Sequence, residues 1–193
     1  MVTAPGQQET PRSQRLFLAL PLPEPARAAL AALCGGLPGV RWEPPGKLHL
    51  MLRFLGNTAP EQRTNLLARL EAERWPRVSL TLAGVGCSPP SGLPRTLWVG
   101  VAGLPDLRDL QARLEALVVA LGQPPEPRPF RPHVTLARLK NLTRAQLQPY
   151  LARHGAFHLG PIEVPAFGLY ASRTQPEGSV YTLEGRVPLG PPA

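Results

Sequence analysis

Lys47-Leu48-His49-Leu50-Met51-Leu52-Arg53-Phe54-Leu55 aligns without a gap on Arg131-Pro132-His133-Val134-Thr135-Leu136-Ala137-Arg138-Leu139. Both copies follow a proline-rich turn that contains a basic residue. In each, a histidine opens an apolar run in which alternate residues share a face, the pattern of a half-buried β-strand. His49 and His133 lie 84 residues apart in a chain of 193, close to half its folded length. Two similar lobes related by a pseudo-dyad would therefore bring both imidazoles into one cleft.

The segments around this repeat alternate strand and helix signals. Apolar runs predict strands at residues 15–22, 40–43, 48–55, 78–85, 96–101, 133–139, 162–172 and 180–187. Helices are expected at 25–33, 60–73, 106–121 and 143–154. The helix at 106–121 has Leu107, Leu110, Leu114, Leu117, Val118 and Leu121 at three- and four-residue spacing, with Gly122 closing it. Thr143 and Gln146 make a capping-box start, and Gly155 a stop. Several strand pairs have no helix between them, which favours an α+β fold with antiparallel sheets over a parallel doubly wound sheet. Residues 1–14 read as a disordered leader, 15–189 as one domain and 190–193 as a frayed tail.

Composition bounds the function. With 43% hydrophobic residues the chain can bury a core. Two cysteines, Cys34 and Cys87, exclude a disulfide scaffold or a four-thiolate metal site, and both read as buried small residues. The net charge of +8 attracts anions, nucleic acid among them, yet the basic residues are arginines except for Lys47 and Lys140, and Ile162 is the sole isoleucine. That usage fits a GC-rich genome, so charge alone does not identify a partner. No apolar run reaches the ~18–20 residues of a membrane span, and no secretory signal is visible, so a cytoplasmic location is expected. No phosphate-binding Gly-x-x-x-x-Gly-Lys-Ser/Thr loop is present. His154 and His158 are four apart, but a helix ending at Gly155 would separate them, which argues against a shared metal site.

A histidine on an apolar strand is commonly structural. Two at equivalent positions of a repeat are a different matter, because one protonated and one neutral imidazole supply a general acid and a general base together. The Thr135 hydroxyl, two residues after His133, could donate to a phosphate oxygen held between them.

These motifs resemble the bacterial and archaeal 2′–5′ RNA ligase family, also called RNA 2′,3′-cyclic phosphodiesterases, within the two-histidine phosphoesterases marked by paired His-x-Thr-x motifs. The resemblance runs from Arg15 to about Leu189, through RLFLALPLP, VRWEPPGKLHLMLRFLG, RPFRPHVTLARLK and GLYASRTQPEGSVYTL. It implies a bilobal fold with antiparallel sheets lining a central cleft and helices outside. It also implies hydrolysis of RNA 2′,3′-cyclic phosphate ends to 2′-phosphates, with ATP-independent 2′–5′ joining of RNA ends as a related activity. By the same resemblance His49 is the general acid, His133 the general base, and Thr135 and Arg138 hold the phosphate. The implied partner is RNA with such termini, and the implied enzyme is a monomer without metal or other cofactor.

Met51 departs from the pattern, since it stands where the first motif has threonine and its thioether donates no hydrogen bond. Alternative readings are a non-catalytic RNA-end binder and a phosphodiesterase for small cyclic nucleotides. Lys47, Arg53 and Arg131 flank the motifs and are expected to steer the RNA backbone, with solvated loop charge as the other reading. Phe54, Trp98 and Tyr170 could stack on a base. Core packing is the default for Phe54 and Trp98, and Tyr170 has the better claim.

Overall fold

The computed structural model describes residues 13–176 and 178–190. Most of the expected leader and tail lies outside the described residues. Gln14 belongs to the first strand, and the Gly190 N–H donates to the Trp75 carbonyl at 2.9 Å.

Strands β1 (Gln14–Pro21), β2 (Arg41–Trp42), β3 (His49–Thr58), β4 (Val78–Ser88), β5 (Thr96–Ala102), β6 (His133–Arg138), β7 (His158–Val164), β8 (Ala166–Gln175) and β9 (Gly178–Pro188) form one antiparallel sheet. Its order is β7-β4-β5-β6-β3-β1-β8-β9, with the short β2 added on β6. Among the described residues four α-helices accompany it: α1 (Glu24–Ala31), α2 (Pro60–Ala72), α3 (Pro105–Ala120) and α4 (Arg144–His154). The α+β class and the antiparallel pairing agree with the sequence pattern. The two halves meet at the two motif strands, β3 and β6, through the single register pair Leu50↔Val134.

Several strand ends differ by one to three residues, and one expected strand is divided. The apolar stretch 162–172 reads as one strand, but Pro165 divides it into β7 and β8. These strands pair with β4 and with β1, so a one-residue connection joins opposite regions of the sheet order. That connection requires the sheet to curl until its two sides approach. Proline suits the switch because it has no N–H to place in either ladder, while its carbonyl accepts from the Leu189 N–H at 2.9 Å.

The helices supply the expected apolar stripes. Leu107, Leu110, Leu114 and Val118 of α3 are fully buried in the core with Leu16, Leu18 and Leu20 of β1 and Leu50 and Leu52 of β3. At the start of α4, Thr143 Oγ1 accepts from the Gln146 N–H at 3.3 Å, and Gln146 Oε1 accepts from the Thr143 N–H at 2.8 Å. This is the capping box the sequence predicts. Among the described residues no helix is long and apolar enough to cross a membrane.

Candidate active site

The Leu50↔Val134 pair fixes the geometry of the site. Continuing that antiparallel register by one residue sets His49 opposite Thr135 and Met51 opposite His133. Leu50 and Val134 are fully buried, so the four flanking side chains face the other side of the sheet, away from the core. The pseudo-dyad expected from the repeat therefore passes between the two motif strands.

Both histidines are held in the same way. His49 Nδ1 lies 2.6 Å from the Lys47 carbonyl, and His133 Nδ1 lies 2.8 Å from the Arg131 carbonyl. A carbonyl only accepts, so each Nδ1 carries the proton and donates. Each Nε2 is left as the working atom. What Lys47 and Arg131 contribute to this anchoring is their backbone oxygen. The Arg131 side chain is exposed and that of Lys47 half-buried.

Both motif strands also carry a β-bulge at the equivalent leucine. The β3–β1 register skips Leu52, and the β6–β5 register skips Leu136. A bulge reverses the alternation of faces. Thr135 pairs with Trp98 and Arg138 with Thr96, and these partners are two apart on β5, so Thr135 and Arg138 share the cleft face although they are three apart. By the same reversal Met51 and Phe54 share that face in the first copy. Phe54 thus occupies the position equivalent to Arg138, with the Arg15 guanidinium 5.4 Å from its ring centre.

The bulge also removes Arg53 from the site, contrary to its expected role in steering RNA. Arg53 turns to the helix side and is only 7% exposed. Its Nε lies 2.6 Å from Glu115 Oε2, a charge contact outside hydrogen-bond alignment, and its Nη1 lies 3.5 Å from Glu126 Oε2. Nη1 also donates to the Phe54 carbonyl at 2.8 Å. With its donors engaged internally, Arg53 has nothing to offer a backbone phosphate.

Aromatic rings wall the β3 side. Phe17 packs 5.2 Å from His49 and is stacked by Tyr170 at 5.4 Å, and Tyr181 meets His49 edge-on at 5.4 Å. On the β6 side the Trp98 ring lies 6.1 Å from His133, and its Nε1 donates to Ser88 Oγ at 2.8 Å. Trp98 is therefore a cleft residue rather than core filling. Arg138 is exposed and lies 3.5 Å from Glu43, the residue that follows β2. Sequence reasoning missed Phe17, Glu43 and Tyr181. The first reads as one more residue of an apolar run, Glu43 reaches the site because its segment pairs with β6, where its N–H donates to the Leu136 carbonyl at 2.8 Å, and Tyr181 reaches it because the sheet curls.

Burial pushes the His49 imidazole below its ordinary pKa, and the positive charges of Arg138 and His133 push the same way. The Lys47 carbonyl and the Glu43 carboxylate oppose them. Burial likewise raises the phenols of Tyr170 and Tyr181. Elsewhere, the expectation of two buried cysteines is corrected: Cys34 and Cys87 are only partly buried, with Cys34 Sγ 3.6 Å from the Leu30 carbonyl and Cys87 Sγ 3.3 Å from Arg144 Nη1. His154 ends α4, packed 4.5 Å from the Tyr150 ring, and His158 begins the separate strand β7.

Comparison with known proteins agrees with this architecture. The model of the LigT-like phosphoesterase family matches residues 20–98 and 100–181. An RNA 2′,3′-cyclic phosphodiesterase from Thermus thermophilus is 38% identical over 184 residues, covering 88% of this chain and 87% of that protein. Another from Aeropyrum pernix is 33% identical over 135 residues, covering 69% and 77%. The crystal structure of Escherichia coli LigT complexed with 3′-AMP superposes with a TM-score of 0.73 at 28% identity, over 92% of this chain and 98% of that one. With two equivalent histidines facing one cleft and this extent of match, the chain belongs to the LigT-like phosphoesterase family.

Proposed function

We propose that this chain is a cytoplasmic, monomeric RNA 2′,3′-cyclic phosphodiesterase that opens the cyclic ester to a 2′-phosphate by two-histidine acid–base catalysis. The observation that carries the proposal is the matched anchoring of His49 and His133, each with Nδ1 on the carbonyl two residues back. In this reading His133 Nε2 takes a proton from the attacking water as the oxygen–phosphorus bond forms. The bond from phosphorus to the 3′-oxygen breaks, and His49, protonated at Nε2, gives its proton to that oxygen. Thr135 donates to a non-bridging oxygen, and the forked guanidinium of Arg138 balances its charge. An RNA 5′-hydroxyl in place of water would give a 2′–5′ linkage by the same steps. The aromatic wall of Phe54, Tyr170 and Tyr181, backed by the buried Phe17, suits the base of the terminal nucleotide. The test is an oligonucleotide with a cyclic phosphate end, incubated with the protein in EDTA while the end group is followed. Conversion to the 2′-phosphate is expected, and tight binding without conversion would sink the proposal.

The position of Met51 carries its own prediction. It is 41% exposed toward the cleft, opposite His133, as Thr135 is opposite His49. Met51→Thr supplies the missing donor and is expected to raise kcat about tenfold, the kinetic worth of a charge-assisted hydrogen bond of about 1.5 kcal/mol. Unchanged kcat would mean that the hydroxyl at this position is never limiting.

A pH dependence follows from the depressed His49 pKa. In the free protein burial and neighbouring positive charge disfavour the imidazolium. A bound phosphodiester anion favours it, so the pKa rises in the complex. The alkaline limb of the kcat profile is expected at higher pH than that of kcat/KM, because the former reports the complex and the latter the free enzyme. Coincident limbs would count against His49 as the acid.

A further inference from the structure

Arg138 also borders a groove whose other lining residues take no part in the proposed catalytic steps. It is about 730 Å³ in volume, between the β4–β5 hairpin loop, residues 89–95, and the turn that follows β6, residues 139–141. Three cations line it, Arg95, Arg138 and Lys140, and no carboxylate does. Leu93, 53% exposed at its rim, adds an apolar surface. The walls are tied together. The Leu139 N–H donates to the Arg95 carbonyl at 2.8 Å, and the Arg95 N–H donates to the Ser88 carbonyl at 2.7 Å. Arg144, from α4, hydrogen-bonds the Pro89 carbonyl.

We propose that this groove is a binding site for single-stranded RNA, holding the phosphates of the nucleotides that precede the reacting end. The inference rests on the proposed function and adds the place where the nucleotides upstream of the reacting end are held. Four considerations lead to it. Arg138 faces the cleft beside Thr135 and also lines the groove, so one path of positive charge joins the two. A groove lined by cations and by no acidic residue repels basic peptides, and neutral ligands gain little from it, whereas a polyanion is matched along its length. A cyclic 2′,3′-phosphate is by its chemistry a chain terminus, and the remainder of the RNA must leave the cleft on the 5′ side of that nucleotide. The exposed Leu93 at the rim offers a base face a place to rest, as stacking surfaces do in single-strand channels.

The experiment compares a 2′,3′-cyclic mononucleotide with an eight-nucleotide RNA carrying the same end, in the wild type and in the Arg95→Ala,Lys140→Ala variant. Both side chains are exposed, and the bonds that tie the loops use backbone atoms, so the fold should survive the change. The wild type is expected to show a KM for the octamer about tenfold below that for the mononucleotide. The variant should raise the octamer KM toward the mononucleotide value while leaving kcat and the mononucleotide KM unchanged. The slope of log binding constant against log salt should fall by about 1.4, or ~0.7 for each single-strand phosphate contact removed. An unchanged octamer KM and salt slope in the variant would overturn the groove while the hydrolase reading stood. Absence of turnover on both substrates in the wild type would overturn the hydrolase reading, and the groove's role with it.

Discussion

Replacing either His49 or His133 by alanine is expected to lower kcat on a cyclic-phosphate RNA end by about 10²–10⁴-fold, the usual contribution of a positioned acid or base. The two losses should not multiply in the double variant. Proton removal from water and proton delivery to the 3′-oxygen occur in one displacement, and once one partner is absent the other has less to do. Each single variant should still bind the 2′-phosphate product, because Thr135 and Arg138 are untouched. Retained binding with lost turnover distinguishes catalysis from folding. The substitutions are also not equivalent structurally. His49 packs against Phe17 and Tyr181, so His49→Ala removes apolar contact as well as a proton. His133 is exposed, so His133→Ala should leave the melting temperature nearly unchanged. If turnover survives in both variants within tenfold of wild type, the histidine pair is not the reaction centre.

The repeat made the centre of the fold readable because strand alternation, histidine placement and spacing all agreed over nine residues in each copy. Helices were equally open to reading. The stripe of α3 and the Thr143–Gln146 cap depend on local spacing and appear where expected. What local pattern could not supply was parity. Strict alternation from His49 puts Met51 and Arg53 on one face and moves Phe54 to the other. The bulge at Leu52 reverses that, sending Arg53 to the helices and Phe54 to the cleft. At Leu136 the same reversal brings Arg138 into the site. A bulge is one extra residue in a ladder, with no composition of its own in these leucine-rich strands, and only the neighbouring strand reveals it. Tyr181 was hidden for a longer-range reason. It meets the site through the curl of the sheet, which the Pro165 switch requires but no single segment encodes. Glu43 was hidden because nothing in its own segment shows that β2 pairs with β6, which places it beside the Leu136 bulge.

Arg53 yields the second large effect, and it concerns stability rather than binding. Its guanidinium joins the first motif strand to the proline-rich loop that delivers His133. One side reaches Glu115 of α3 and Glu126 of the loop, and the Glu126 N–H in turn donates to Glu115 Oε1 at 2.8 Å. Arg53→Ala removes this centre and leaves Glu115 Oε2 buried with no cation beside it. Breaking a buried pair from one side costs about 3–5 kcal/mol. Glu115 and Glu126 keep 23% and 22% of their side-chain exposure, which places the expected loss at the lower end. About 3 kcal/mol corresponds to a fall in melting temperature of roughly 6–12 °C for a domain of this size. Neutralising the stranded carboxylate should restore part of it, so Arg53→Met combined with Glu115→Gln is expected to melt above Arg53→Ala. The salt dependence of RNA binding should not move, since this charge faces away from the cleft. If Arg53→Ala instead flattened the salt slope and left the melting temperature unchanged, the side chain would have to reach the RNA, and the assignment of its face through the Leu52 bulge would be wrong.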